Sequence, residues 1–368
     1  MKKIIPGIII ILAAYFIAGC STKFNVAAPY QNTTVIYGFL DEADTAHYIR
    51  VQKAFLDENK SALTLAQVAD SNFYANLNVR MEEIDISNGG STFIDTLHLS
   101  KVDLNLEGYP KQAGTFFNTP NYAYKFKKAL NPSYSYRLVV TNLSTGVTDS
   151  AETPLIDDNN VVSNTFVIPI IDNLITNLVG LDFSATAASV NTYIKITGNY
   201  NPIPNFNFDG QLSPAYIAQA VLTFNWIDSN TINGTETYHS YDYNAGYTNL
   251  ANRGFAFQID NLSLYNAIAS GMGAAPSGID RLLLRCNLAI YLSTIDFANY
   301  QQNTLTQGTG LTANEIEPIY TNIKGAHALG LFTSRGLRGG AVGIDTRTLD
   351  SLMINPITVP AHITGFAH

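Results

Sequence analysis

Apolar and polar residues alternate with a period of two along most of this chain, which is the mark of half-buried β-strands. Thr33–Leu40 is rich in β-branched and aromatic residues, and Asp41-Glu42-Ala43-Asp44 supplies a turn after it. Within His47–Phe55, Ile49 and Val51 take one face while Arg50 and Gln52 take the other. Leu77, Val79 and Met81 alternate in the same way. Asn88-Gly89-Gly90 then offers the positive-φ residues of a hairpin, and Thr92–Leu99 returns with Phe93 and Leu97. Tyr122–Lys128, Tyr134–Thr141 and Val147–Thr153 complete the set. In Tyr134–Thr141, Tyr134, Tyr136, Leu138 and Val140 share a face and Arg137 points away. Short strands at regular spacing predict an immunoglobulin-like β-sandwich over residues 33–156. Leu63–Tyr74 breaks the period and reads as either a short helix or an edge excursion.

Pro154-Leu155-Ile156-Asp157-Asp158-Asn159-Asn160 joins turn residues to adjacent charges and marks the boundary to a second β-rich domain, residues 157–368. There Thr192, Ile194 and Ile196 alternate, as do Leu222, Phe224 and Trp226, and Phe255, Phe257 and Ile259. Arg281–Tyr291 reads as one strand, with Leu282, Leu284, Cys286, Leu288 and Ile290 on one face and Arg281, Arg285 and Asn287 on the other. Two short helices interrupt the strands. One is Leu262–Ser270, with Asn261 as cap and Gly271 as stop, and the other is Phe297–Leu305 behind Asp296 as N-cap. Asn201–Asp209 reads as a long loop, and Tyr320–Phe332 and Leu337–Leu349 as strand. The fold class is therefore all-β, a sandwich followed by a second β-rich domain.

Composition narrows the function. Charged residues make up 14% of the chain, against about 25% in typical soluble domains. Neutral polar residues replace them, including 36 asparagines. The formal net charge of -8 argues against nucleic acid as a partner, because binding it requires a cationic surface that releases phosphate counterions.

The N-terminus adds a location. Met1-Lys2-Lys3 precedes an apolar run from Ile4 to Ala18, too short for a transmembrane helix of about 20 residues and of the form of a secretory signal. Ile17-Ala18-Gly19-Cys20 resembles the lipobox of bacterial lipoproteins. That resemblance implies a signal peptide over residues 1–19, cleavage before Cys20, diacylglycerol thioether-linked to the Cys20 sulfur, and a lipid-anchored tether over residues 20–32. Cleavage removes two lysines and leaves 19 basic against 29 acidic side chains. Each buried methylene contributes about 0.8 kcal/mol, so several acyl chains anchor permanently. Ser21 in place of Asp after the cysteine resembles the outer-membrane sorting pattern of two-membraned bacteria, and the absence of an acidic cluster there favours the periplasmic face over the cell surface. Only Cys20 and Cys286 exist, so a lipidated Cys20 leaves no intrachain disulfide.

Further residues carry a family resemblance. Tyr134-Ser135-Tyr136-Arg137-Leu138-Val139-Val140 ends the first half as an aromatic strand. Leu288–Leu292, Asp296–Tyr300, Thr321-Asn322-Ile323-Lys324-Gly325 and Gly330-Leu331-Phe332 follow near the C-terminus. Together with the lipobox they resemble a bacterial outer-membrane lipoprotein family classed as a domain of unknown function. This chain has Gly325-Ala326-His327-Ala328 where that family commonly has paired glycines. The resemblance assigns no catalytic residue and implies an accessory component beside an outer-membrane transporter.

Motifs for chemistry are sparse. His47, His98, His239, His327, His362 and His368 are scattered without metal-binding spacing, and neither a nucleophile elbow nor a phosphate loop occurs. Cys286 lies on an apolar face and reads as an inert buried thiol. No catalytic residue, metal or cofactor is expected, and the chain reads as non-enzymatic. Tyr238, Tyr241, Tyr243 and Tyr247 surround an Asn/Asp-rich turn, where rings and amides suit a ligand or partner contact. The expected function is a lipid-anchored accessory lipoprotein that contacts an outer-membrane protein. The alternative is a small-ligand or glycan- and peptide-binding lipoprotein.

Overall fold

The computed structural model describes residues 33–54, 61–157, 193–202, 205–284, 286–306, 320–342 and 346–367. Residues 1–32, on which the signal-peptide, Cys20 and tether expectations fall, Arg285 and the stretch after Asp157 up to residue 192 lie outside the described residues. The fold is all-β, with several sheets and a few short helices.

The first half builds a sandwich. Its strands are β1 (Thr33–Asp41), β2 (Ala46–Ala54), β3 (Leu77–Asp85), β4 (Thr92–His98), β5 (Ser100–Asp103), β6 (Tyr122–Lys127), β7 (Tyr134–Asn142) and β8 (Thr148–Pro154). The alternation predicts seven of these; β5, only four residues long, is too short to show a period. Leu63–Tyr74 resolves into two short helices, α1 (Ala62–Ala66) and α2 (Ala69–Asn72). Strands β4-β3-β7-β8 form one antiparallel sheet, while β1, β2, β6 and β5 lie in order in a larger one. Ile36, Leu40, Ile49 and Phe126 from the larger sheet meet Val79, Met81, Leu138 and Val140 from the smaller, all buried. Tyr136 is fully buried, and its hydroxyl accepts the Asn131 backbone N–H at 2.6 Å. That bond from the start of a strand back to the preceding loop has the form of the tyrosine corner of immunoglobulin sandwiches.

The second half contributes β9 (Tyr193–Asn199), β10 (Ile217–Asn230), β11 (Glu236–Asn249), β12 (Gly254–Asp260), α3 (Asn261–Met272), β13 (Ile279–Leu283), β14 (Cys286–Ser293), α4 (Ile295–Thr306), β15 (Ala328–Val342), α5 (Thr346–Ile354) and β16 (Ile363–Phe366). The larger sheet has ten strands and spans both halves of the chain. Its hinge element is β15. Residues 328–335 of β15 pair in parallel with β1, and residues 335–342 pair antiparallel with β14. Gly330, at φ 123°, makes the parallel half possible, because a Cβ there would collide with the Ile36 backbone. One face of β10 and β14 carries Ala218, Ala220, Leu222, Phe224, Leu288, Ile290 and Leu292 into a second core. The two-stranded sheet of β9 and β12 and the helices α3 and α5 contribute to that core.

Five local expectations are corrected, among them Tyr320–Phe332, which is strand only from Ala328. Arg281–Tyr291 is two strands, because Leu283 pairs with Trp226 whereas Asn287 pairs with Thr223. Four steps on one strand match three on β10, so a bulge reverses the facing of every residue before it. Cys286, Leu288 and Ile290 are buried as read, but Leu283 and Arg281 point inward in place of Leu282 and Leu284. Arg281 is tolerated there because it donates to Asp228 at 3.0 Å and to the Gly273 and Ala361 carbonyls. Helix α3 is capped by Asp260, whose carboxylate accepts from the Ser263 N–H, and it runs through Gly271 to Met272, with Gly273 as its C-cap. Helix α4 begins before Asp296, which sits in its first turn. Leu337–Leu349 is strand only to Val342, and Thr346 begins α5.

Candidate functional site

The four tyrosines lie along β11, a strand and not a turn, and the strand divides them between two faces. His239, Tyr241 and Tyr243 pair with Trp226, Phe224 and Leu222, so they share the core-side face of β10. The Tyr241 ring lies over Gly271 of α3, where any Cβ would meet it. Burial raises the Tyr243 pKa, with Asp260 and Tyr241 adding to the shift. These two tyrosines are packing residues of the second core. Tyr238 is 70% exposed near the β10–β11 hairpin. Tyr247 pairs with Gln219, while Asn244 pairs with Val221. The extra residue between them is a bulge, with Gly246 at φ 89°, and it turns Tyr247 onto the opposite face.

On that opposite face Tyr247 joins residues from distant parts of the chain. Helix α4 lies across the outer face of the ten-stranded sheet through ring contacts. Phe297 meets Phe39 at 5.9 Å, edge to face, and Tyr247 at 6.1 Å, and Tyr300 meets Tyr37 at 6.5 Å. Between helix and sheet runs a groove of about 410 Å³, walled by Phe39, Tyr247, Tyr291 and Phe297. Gln219, Asp242, Ser293 and Arg335 supply its polar atoms. Most of these are held by neighbours. Asp242 accepts from the Thr223 hydroxyl at 2.7 Å, and Arg335 Nε donates to Asp41 at 3.0 Å. The Ser293 hydroxyl donates to the Ser334 carbonyl at 2.9 Å, and Tyr247 Oη accepts from Gln301 at 2.9 Å. Burial raises the Tyr247 pKa, so the phenol stays protonated near neutral pH. Of these lining residues the tyrosine cluster includes only Tyr247. Phe39 is legible as an outward-facing aromatic in the β1 alternation, whereas nothing in the sequence links it to Phe297 or Arg335.

A second, more polar cavity of about 720 Å³ opens between the β3–β4 turn, the loop around Phe208 and the segment 321–324. Arg137, Glu152, Asp209, Asp296 and Lys324 line it. Both oxygens of Glu152 are engaged, one by Ser135 Oγ at 2.6 Å and the other by Arg137 at 2.8 Å. Asp296 accepts the Tyr320 hydroxyl, and burial together with that bond pushes the Tyr320 pKa up to about 12.

The Asn-Ile-Lys-Gly segment beside this cavity is structural. Asn322 both donates to the Phe332 carbonyl at 2.7 Å and accepts its N–H at 3.0 Å. Ile323 fills the first core, and Lys324 exchanges two backbone bonds with Ser150. Gly325 leaves room for Asp149, which a Cβ would displace.

Cys286 is buried, and desolvation pushes its thiol pKa up, so the reactive thiolate is suppressed. Burial lowers the pKa of His47, which stacks on Phe126 at 4.7 Å. Among the described residues no three His, Cys, Asp or Glu side chains are grouped to hold a metal ion, and no helix is long and apolar enough to cross a membrane. Neither any protein-family model nor any curated protein matches the chain.

Proposed function

We propose that this chain is a lipid-anchored outer-membrane lipoprotein that works by binding and not by catalysis, an accessory component holding a partner or ligand beside an outer-membrane transporter. The observation that carries this reading is the groove under α4. It is walled by four aromatic rings, and its polar atoms are mostly pre-oriented by neighbouring side chains. Preformed concave sites of this kind bind without first ordering their own side chains. The Cys20 lipobox supports the membrane half of the reading. A permanent anchor confines the protein to two dimensions and raises its effective concentration beside any membrane partner. The second reading, a soluble ligand in the same groove, is favoured by the polar groups on its floor.

Mass spectrometry of the mature N-terminus is expected to show acylated Cys20 with residues 1–19 removed. Cys20→Ser is expected to release the protein from the membrane fraction or stall its processing. A photo-crosslinking residue at Phe39 in intact cells is expected to capture a reproducible outer-membrane partner or retained ligand. Turnover of a defined substrate by the purified protein, with no captured species, overturns the reading.

A further inference from the structure

We infer that the groove under α4 is a binding site for a neutral saccharide; this rests on the reading of that groove as the protein's contact site and names what occupies it. Two of its polar groups have no partner. The side-chain amide of Gln219 and the hydroxyl of Tyr291 are half-buried and make no hydrogen bond among the described residues. Solvent-reaching donors and acceptors left open in a concave site can exchange their hydrogen bonds to water for hydrogen bonds to a ligand. The Asp242 carboxylate has one oxygen engaged by Thr223 and retains further acceptor capacity. An amide, a phenol and a carboxylate together both donate and accept, which is the pattern a sugar hydroxyl requires, since each hydroxyl does both.

The walls select the rest of the ligand. Phe39 and Tyr247 are 39% and 38% exposed, so their rings offer surface to an incoming molecule. An aromatic face is electron-rich and attracts the weakly positive C–H face of a sugar ring. Charge argues against an ionic ligand. Asp41 neutralises the guanidinium of Arg335, leaving Asp242 as the groove's uncompensated charge. That carboxylate repels anions, and a single exposed carboxylate holds a cation weakly. Strands β1, β10 and β14, and β15 at Arg335, are paired on both sides, so strand addition by a peptide is confined to the outer edge of β11, which pairs only with β10. The volume of about 410 Å³ falls in the small-molecule range, with room for a mono- or disaccharide.

The test uses the full-length lipidated protein in a detergent without a sugar headgroup. Saturation-transfer NMR and calorimetry are run with glucose, galactose, maltose, cellobiose and N-acetylglucosamine, with glucuronate and trialanine as comparators. At least one neutral sugar is expected to bind. Tyr247→Ala and Gln219→Leu are each expected to weaken that binding by about tenfold or more at unchanged thermal midpoint. Tyr238→Ala, on the same strand but outside the groove, is expected to leave it unchanged. If Tyr247→Ala fails to fold, Gln219→Leu decides. Binding that survives in the groove variants, a preference for glucuronate or trialanine, or no sugar binding at all overturns the saccharide assignment. In the last case, persistent crosslinking from Phe39 to a membrane protein leaves the accessory reading standing, and loss of crosslinking removes both.

Discussion

The two hydrophobic cores of this protein are closed in different ways. The second core draws almost entirely on residues from 196 to 363, with Ile156 as its contribution from the first half. The first core, between the sheets of the sandwich, requires Ile323, Ala328 and Phe332 from the far end of the chain. Strand β15 serves both, carrying Phe332 into the first core and pairing through its other half with β14. The sandwich is therefore not a self-contained module. Its open flank at β1 is an unpaired strand edge until β15 arrives, and such edges invite wrong partners. A long-range closure of this kind also delays completion of the fold until the C-terminal segment is made.

That asymmetry can be broken most severely at the shared strand. Phe332→Ala is expected to cost about 3–5 kcal/mol, the range for aromatic truncation in a core. Hydrogen exchange is expected to show lost protection in β1 as well as β14, whereas Leu288→Ala, costing about 2–5 kcal/mol, is expected to spare β3 and β7. Equal loss across both halves in the two variants would mean that the cores unfold as one unit. The bulge between β13 and β14 gives an intermediate effect. Leu283→Ala is expected to lower stability by about 2–5 kcal/mol in denaturant titration, and Leu284→Ala by distinctly less, because Leu283 is buried and Leu284 is only half-buried. The reverse order would restore the single-strand register.

The smallest expected effect concerns pH, at the seam between the halves. Asp149 is buried against Gly325, and its Oδ1 has no hydrogen-bond partner. Burial raises its pKa, opposed by a bond from Thr34 and by His327. A carboxyl whose folded pKa lies above its unfolded value binds more protons in the folded state. It therefore costs stability as pH rises from the unfolded value of about 3.9 through the raised one. Asp149→Asn is expected to raise the thermal midpoint at pH 7 and to leave it nearly unchanged below about pH 4. A gain of equal size at both pH values would assign the effect to packing.

Much of the architecture is legible from alternation. The pattern Tyr134, Tyr136, Leu138, Val140 and the pattern Leu222, Phe224, Trp226 place their strands and their buried faces correctly, because burial on one side of a strand imposes a period of two. Where a bulge intervenes, as at Leu283–Asn287 and at Asn244–Tyr247, the period continues in the sequence while the facing reverses in space. The Asn/Asp-rich composition around the tyrosine cluster suggests a turn, whereas it lies on a strand, with Tyr241 and Tyr243 packed against the second core and the bulge turning Tyr247 out to the groove. Gly325 and Gly330 read as bulge or close-approach glycines, but the neighbours they admit, Asp149 and Ile36, lie more than 170 residues away.

What the sequence by itself determined is local: an all-β chain, the faces of its regular strands, an inert Cys286, and the Ile17–Cys20 pattern from which a lipid anchor is proposed. These follow from nearest-neighbour periodicity and from the chemistry of single residues. Tertiary structure decided which strands became neighbours, that β15 closes the sandwich while joining the two halves into one ten-stranded sheet, and that Phe39, Tyr247, Tyr291 and Phe297 enclose one groove. The physical reason is that backbone pairing and side-chain burial are satisfied by any complementary edge. The choice among edges depends on the global packing of cores whose members lie hundreds of residues apart.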